Sequence, residues 1–393
     1  MKVIGQYLKG DRVIWAVVFL LSVISVLAVY SSTGTLAYKY QGGNTLYYFT
    51  KHLLIVAMGI GIMYVVHNVK YTYFSKISVA LIVLAAILLP LTLILGTSRN
   101  EASRWLTLPI INLSFQTSDL AKLALITFLA RQLALSQDII KDLKRGFLPL
   151  LLPIIGICAL ILPANFSTAA VLFCSSVMLL FIGRARILHI GALLATALMG
   201  ATIVVLLALA LPEDTITKAL PRFPTWKQRI ETFTAGENAV VNPDNNYQAE
   251  QAKIAVAKGG FFRIAPGKSD QRNFLPHPYS DFIYAIILEE YGMVGGAFVL
   301  FLYLILLLRG VKIATKSTKP FAALLAIGCC FSLIFQAMIN MAVAVNLFPV
   351  TGQPLPLISM GGTSIWFTSI AIGMVLSVSR QNETEKELQP INV

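Results

Sequence analysis

Apolar residues in this chain fall in long unbroken blocks, separated by short stretches that collect Lys, Arg, Pro, Gly and Asn. The blocks run roughly over 13–32, 51–67, 77–96, 118–135, 147–163, 166–182, 187–211, 281–308, 320–346 and 360–379. Each is close to the ~20 residues a helix needs to cross the hydrocarbon of a bilayer, so the pattern predicts an all-α polytopic membrane protein with ten transmembrane helices. The one long polar interval, 212–280, then becomes a large extracytoplasmic loop between helices 7 and 8. The first block follows Lys2, Lys9 and Arg12 as a signal peptide would. No small-residue cleavage site precedes the next apolar run, so it is expected to stay as a permanent helix.

Composition agrees with this. Of 393 residues 57% are hydrophobic and only 12% charged, more apolar surface than one water-soluble core can hide. The net charge of +13 would suggest a nucleic-acid partner in a soluble chain, but the basic residues sort by loop. Lys70, Lys76, Lys141, Lys144, Arg145, Arg184, Arg186, Arg309, Lys312, Lys316, Lys319, Arg380 and Lys386 share one side with Lys2, Lys9 and Arg12, against only Lys39, Lys51, Arg99 and Arg104 on the other. The excess is topological: both termini are expected in the cytoplasm, and no nucleic-acid partner is expected. The four cysteines, Cys158, Cys174, Cys329 and Cys330, lie inside apolar blocks without ligand or pairing spacing and read as small core residues.

Chemistry-bearing groups concentrate from Gly259 to Gly292. The two glycines Gly259 and Gly260 follow a short helical pattern, Tyr247 to Lys258, suited to the membrane surface. They either stop that helix or, with Lys268, make a backbone nest for a phosphate. Ser280 and Asp281 open the eighth apolar block, as caps of its helix or as a presented carboxylate. Glu289 and Glu290 lie about two turns further on, where a buried polar contact is the simpler expectation. Elsewhere, Arg104 and Trp105 read as an interfacial anchor and Asp119 and Lys122, three apart on one helical face, as a local ion pair, or else Arg104 and Lys122 line an outward cavity and meet an anionic group. The segment 346–364, with Pro349, Gly352, Pro354, Pro356, Gly361 and Gly362, cannot be a regular helix. Irregular backbone at this depth must lie against protein or water, so 347–362 is expected to fold back as a re-entrant outer loop. The remainder, 380–393, is a cytoplasmic tail.

The segments LPHPYSDFIYAIILEEYG (275–292), INMAVAVNLFPVTGQPLPLISMGGTS (339–364) and RWLTLPIINLSFQTSDLAK (104–122) together resemble the signatures of the SEDS proteins, which include FtsW and RodA. The similarity runs through nearly all of the chain, 1–393, as a single membrane domain, and the proline-rich outer loop is closer to the FtsW, or division, type. The resemblance implies a peptidoglycan glycosyltransferase of the bacterial inner (plasma) membrane that polymerises lipid II beside a class B penicillin-binding transpeptidase and other division-complex membrane proteins. By position, Asp281 falls on the family's essential aspartate, and Arg104, Trp105 and Lys122 on its R-W pair and the lysine after Q-P-S-E. Departures occur at Thr117 and Asp119 in that motif, at Asn165 where the family has an acid, and at Asn273 and His277 where glutamates are common. They bear on auxiliary carboxylates and leave Asp281 in place.

The implied chemistry needs a base for the acceptor 4-hydroxyl as it displaces a lipid pyrophosphate from the donor's anomeric carbon, and Asp281 is the candidate. Arg104, Lys122 and Lys268 are candidates for the departing pyrophosphate, with Mg²⁺ or Mn²⁺ as an optional cofactor and no protein metal ligands identified. A flippase or transporter of the same lipid, a non-catalytic scaffold for the transpeptidase, or a RodA-type elongation enzyme are the competing readings.

Overall fold

The computed structural model describes residues 9–99, 102–108, 113–210, 222–235 and 243–388. Its elements are α1 Arg12–Ser32, α2 Gly34–Gln41, α3 Thr45–Asn68, α4 Tyr71–Leu95, β1 Thr97–Arg99, β2 Ala102–Leu108, β3 Leu113–Gln116, α5 Thr117–Leu135, α6 Leu148–Ile161, α7 Phe166–Ile182, α8 Ile187–Ala210, α9 Phe223–Ala235, α10 Pro243–Gly259, α11 Ile283–Lys316, α12 Pro320–Ala344 and α13 Gly362–Leu388. Among the described residues, seven helical segments are long and apolar enough to cross a membrane: Arg12–Ser32, Thr45–Asn68, Tyr71–Leu95, Leu143–Ile161, Ile283–Lys316, Pro320–Ala344 and Gly362–Glu385. The protein is therefore mostly helical and polytopic. The all-helical expectation needs one correction, because β1, β2 and β3 form a three-stranded antiparallel sheet. The pairing of Trp105 with Gln116 and Leu106 with Phe115, and of Ser98 with Ser103, makes β1, β2 and β3 a meander.

The chain forms two compact units, Met1–Tyr73 with Thr232–Thr318 and Cys329–Val393, and Phe74–Glu231 with Lys319–Gly328. In the first, α13 runs along α3, where bare glycine surfaces allow close approach: a Cβ on Gly373 would lie 2.8 Å from that of Val66, and one on Gly59 2.9 Å from the Ser369 hydroxyl. α1 packs between α11 and α3. Its N-cap is Asp11, whose carboxylate accepts from the amides of Val13 and Ile14 and also pairs with Arg309 at 2.5 Å. α10 docks on α11 through buried Ala252 and Ala255 and through Gly259, where an added Cβ would lie 1.9 Å from the Leu288 carbonyl oxygen. The helix expected to lie on a membrane surface is thus covered by protein on its small-residue face.

In the second unit α5, α6 and α7 pack together and α8 packs on α7. Asn165, in the position where the resemblance leads one to look for an acid, is the N-cap of α7 and accepts from the Thr168 amide. Cys158 is buried, as are Cys329 and Cys330 in α12. Cys174 on α7 is exposed, which corrects its reading as a core residue: the helix face that carries it is left uncovered by its neighbours.

Candidate active site

Asp281 lies in the turn just before α11. That helix begins at Ile283 with Phe282 as its N-cap residue, so neither Ser280 nor Asp281 holds the capping position expected of them. Long-range hydrogen bonds explain the delay. Ser359 Oγ donates to the Ser280 carbonyl at 2.6 Å, the Met360 amide to the Tyr279 carbonyl at 2.8 Å, and Asn340 Nδ2 to the Asp281 carbonyl at 2.9 Å. The carboxylate itself is half-buried and accepts from Ser280 Oγ at 2.9 Å. Gly352, at φ +65°, sits over it: a Cβ there would be 3.5 Å from Oδ2.

The irregular 346–361 segment forms this roof, and helices tie it down by its carbonyls. Asn340 Nδ2 donates to Gln353 at 2.7 Å, Gln336 Nε2 to Pro354 at 2.9 Å, the Tyr303 hydroxyl to Pro356, and Ser25 Oγ to Ile358 at 2.8 Å. Ser25 is itself bonded to His52 Nε2 at 2.8 Å. Leu357, buried, has φ +65°, a left-handed conformation that costs a branched side chain energy and survives only where its surroundings over-determine it. Asn340 and Gln336 were not singled out from the sequence. The available signal was two amides inside an apolar span, groups that must find partners there.

Two turns along α11, Glu289 and Glu290 are fully buried. Glu289 accepts from the Ser269 hydroxyl, the Asp270 amide at 3.1 Å and the Gln271 amide; Glu290 accepts from the Ser31 hydroxyl and the Gly267 amide at 3.1 Å. Arg272 Nη1 closes the cluster by donating to the carbonyls of Gly267 at 2.8 Å and Ser31 at 3.0 Å. The two carboxylates thus hold the 267–272 turn against α11 and α1. Gly259 ends α10 and Gly260 adopts φ +58°, a helix-stop geometry, while Lys268 is exposed on the turn that the glutamates hold.

Arg104, Trp105 and Lys122 belong to the other unit. Trp105 and Arg104 lie on β2, and the Arg104 side chain falls outside the described residues. Gln116 Nε2 donates to Ser118 Oγ at 2.7 Å at the start of α5, and Lys122 pairs with buried Asp119 at 2.8 Å. A cavity of about 20 Å³, room for a single water, is lined by Thr92, Thr117, Ser118, Ala164 and Asn165 among others. Among the described residues, no group of three or more His, Cys, Asp or Glu side chains could hold a metal ion.

Over residues 11–384 the chain matches the model of the cell cycle protein family that groups FtsW, RodA and SpoVE. It is 32% identical over 375 residues to stage V sporulation protein E of Bacillus subtilis (strain 168), covering 94% of this chain and 97% of that protein. It is 31% identical over 378 residues to the probable peptidoglycan glycosyltransferase FtsW of Geobacter sulfurreducens (strain DL-1 / KN400), covering 94% and 95%. Two solved structures share the fold. One is a chain of a peptidoglycan synthase complex that coordinates polymerization and crosslinking, at TM-score 0.71 and 24% identity over 95% of this chain and 98% of that one. The other is the rod shape determining protein RodA of Thermus thermophilus, at 0.64 and 24% over 96% and 99%. With the family model spanning almost the full length and relatives above 30% identity along it, the chain belongs to the FtsW/RodA/SpoVE family of cell cycle proteins.

Proposed function

We propose that this protein polymerises peptidoglycan glycan strands from lipid II, with Asp281 as the general base. The observation that carries the proposal is the held geometry of that residue: a half-buried carboxylate fixed through its own carbonyl by Asn340, with Ser280 on one oxygen and the bare backbone of Gly352 beside the other. Such a group can take the proton of the acceptor sugar's 4-hydroxyl as that oxygen attacks the donor's anomeric carbon. The configuration at that carbon inverts and undecaprenyl pyrophosphate leaves. Lys268 on its clamped turn, with Gly259 and Gly260 behind it, is a proposed headgroup contact; Arg104, Trp105 and Lys122 are proposed substrate-binding residues by their place in the sequence motif. Lys122 is already paired with Asp119, so it brings a directed N–H more than net charge.

In this reading ten helices cross the inner membrane, α5, α7 and α8 joining the seven long apolar segments, and both termini are cytoplasmic. The interval 212–280 is the large outer loop, 347–362 folds back over Asp281, and 380–393 is a cytoplasmic tail within one membrane domain. The partner is a class B penicillin-binding transpeptidase, supported by the synthase complex to which the fold is similar, and the setting is division, with other division-complex membrane proteins, supported by the identity to FtsW relatives.

The test is purified protein, with and without the transpeptidase, given labelled lipid II in proteoliposomes. Strand formation that disappears in Asp281→Asn is the expected result. Headgroup translocation without polymer would make the protein a flippase, and neither activity would leave a scaffold.

A further inference from the structure

The segment that follows α10 carries three large apolar side chains with no protein cover. Phe261 is 73% exposed, Phe262 68% and Ile264 71%. Three such side chains within four residues mark an interaction surface rather than ordinary surface scatter. Their backbone is firmly held. The Met293 amide donates to the Gly260 carbonyl at 3.0 Å, the Val294 amide to Phe261 at 3.3 Å, and the Ala265 amide to Glu290 at 2.9 Å. At the kink of α11 the fit is closer still: a Cβ on Gly292, where φ is +67°, would stand 2.9 Å from the Arg263 nitrogen and the Phe261 oxygen. The main chain that carries these side chains is therefore fixed alongside residues 290–294 of α11.

That level can be placed in the membrane. Arg309 marks the far end of the apolar part of α11, and from Met293, the first residue past the kink, to Arg309 is sixteen residues, about 24 Å of helix. The hydrocarbon layer is ~30 Å thick, so residues 290–294 lie within a few ångströms of its other edge. From the same level α11 exposes Met293, Val294, Phe298 and Phe301, the apolar face of a membrane span. The loop's uncovered side chains continue that lipid-facing surface at headgroup depth, where aromatic residues settle most favourably. Lys258, paired with Asp270 at 3.1 Å, and exposed Lys268 flank them at the level where lipid phosphates lie.

We infer that the loop Gly260–Pro266 is a membrane anchor, with Phe261, Phe262 and Ile264 seated in the headgroup and upper-acyl region of the leaflet facing away from Arg309. The anchor fixes the height of the chain segment that leads to Asp281. The inference needs only a membrane-spanning α11, and it stands whatever reaction the protein performs.

The experiment is Phe262→Trp in the full chain, reconstituted in phosphatidylethanolamine and phosphatidylglycerol vesicles, with fluorescence read as the difference from the unsubstituted protein. The added tryptophan should be blue-shifted, quenched at least about twofold by lipid brominated near the headgroup and less by lipid brominated near the chain end, and shielded from aqueous iodide. Quenching by iodide without quenching by either lipid puts the loop in water and overturns the inference. Shielding from all three quenchers means that a second copy or another protein segment covers the loop, and overturns it equally. Phe261→Trp, at an equally exposed neighbour, repeats the measurement independently of any local disturbance at the first site.

Discussion

Asn340 donates its side-chain amide to the main-chain carbonyl of Asp281, at 2.9 Å, and the same nitrogen reaches Gln353 at 2.7 Å. One buried amide on α12 therefore ties together the chain that carries the proposed base and the loop that roofs it. The tie is made through the Asp281 main chain and not through its carboxylate, which accepts from Ser280 Oγ.

Asn340→Ala removes both donors without changing any group that would touch substrate. Leaving two carbonyls unsatisfied costs about 1–3 kcal/mol, and slack in the base's position lowers turnover roughly 10- to 100-fold. Polymerisation kinetics should show the loss in kcat with KM little changed. Asn340→Asp should be less stable than Asn340→Ala, because it aims a carboxylate at two carbonyl oxygens. Thermal unfolding in detergent would rank the pair, and the reverse order would mean that the amide is not the tie.

Gly352→Ala tests the roof from its own side. At φ +65° a Cβ costs about 1–2 kcal/mol, and the methyl would sit 3.5 Å from Asp281 Oδ2, a normal contact that crowds the side from which a hydroxyl would approach. The expected result is a modestly lowered melting temperature with a clear fall in turnover. An unchanged rate would show that substrate reaches Asp281 from elsewhere.

Much of this architecture is readable in advance, for a definite reason. A bilayer demands about 20 apolar residues per crossing and leaves no partner for unpaired backbone, so helices such as α3 and α11 announce themselves by length alone. The same blocks say little about what happens between them. ASRWLTL lacks the strict apolar-polar alternation of a half-buried strand, and set between apolar spans its Arg and Trp read as an interfacial anchor, so the sheet goes unseen. The start of α11 is misplaced by two residues because Ser359 and Asn340, sixty to eighty positions away in the chain, hold residues 280 and 281 in a turn. Local capping rules cannot register such partners. Glu289 and Glu290 are identifiable as buried polar groups from their place in an apolar helix, yet nothing near them names the 267–272 turn as what they hold.

Glu289→Gln addresses that clamp. The carboxylate accepts from one hydroxyl and two amides, whereas an amide side chain offers a single acceptor oxygen and turns its NH₂ toward the remaining donors. Charge-assisted bonds of this kind are worth about 1.5–3 kcal/mol, so the turn should open locally more often. Hydrogen exchange at Asp270 and Gln271 should accelerate roughly tenfold or more, while the amides of α13 keep their protection. A uniform change across the protein would instead indicate global destabilisation and count against a local clamp.

At the opposite end of α11, Arg309 and Asp11 form a pair whose two functions can be separated. Asp11 is buried, caps α1 through the Val13 and Ile14 amides, and takes Arg309 on Oδ2 at 2.5–2.7 Å. Asp11→Ala loses both the cap and the ion pair. Asp11→Asn keeps an oxygen for the cap and loses the charge. Arg309→Met keeps the cap and leaves the carboxylate buried without its cation, the more costly defect per group removed. The cap contributes about 1 kcal/mol. Arg309 is partly exposed, so the pair should contribute about 1–3 kcal/mol rather than the full value of a buried one. Melting temperatures in detergent should therefore fall least for Asp11→Asn and further for Arg309→Met and Asp11→Ala. The Asp11→Ala/Arg309→Met double variant should be no worse than Asp11→Ala alone, because removing the carboxylate first also removes the penalty for leaving it unpaired. Simple additivity in the double variant would mean that the two residues act separately and that the contact between α1 and α11 rests on packing.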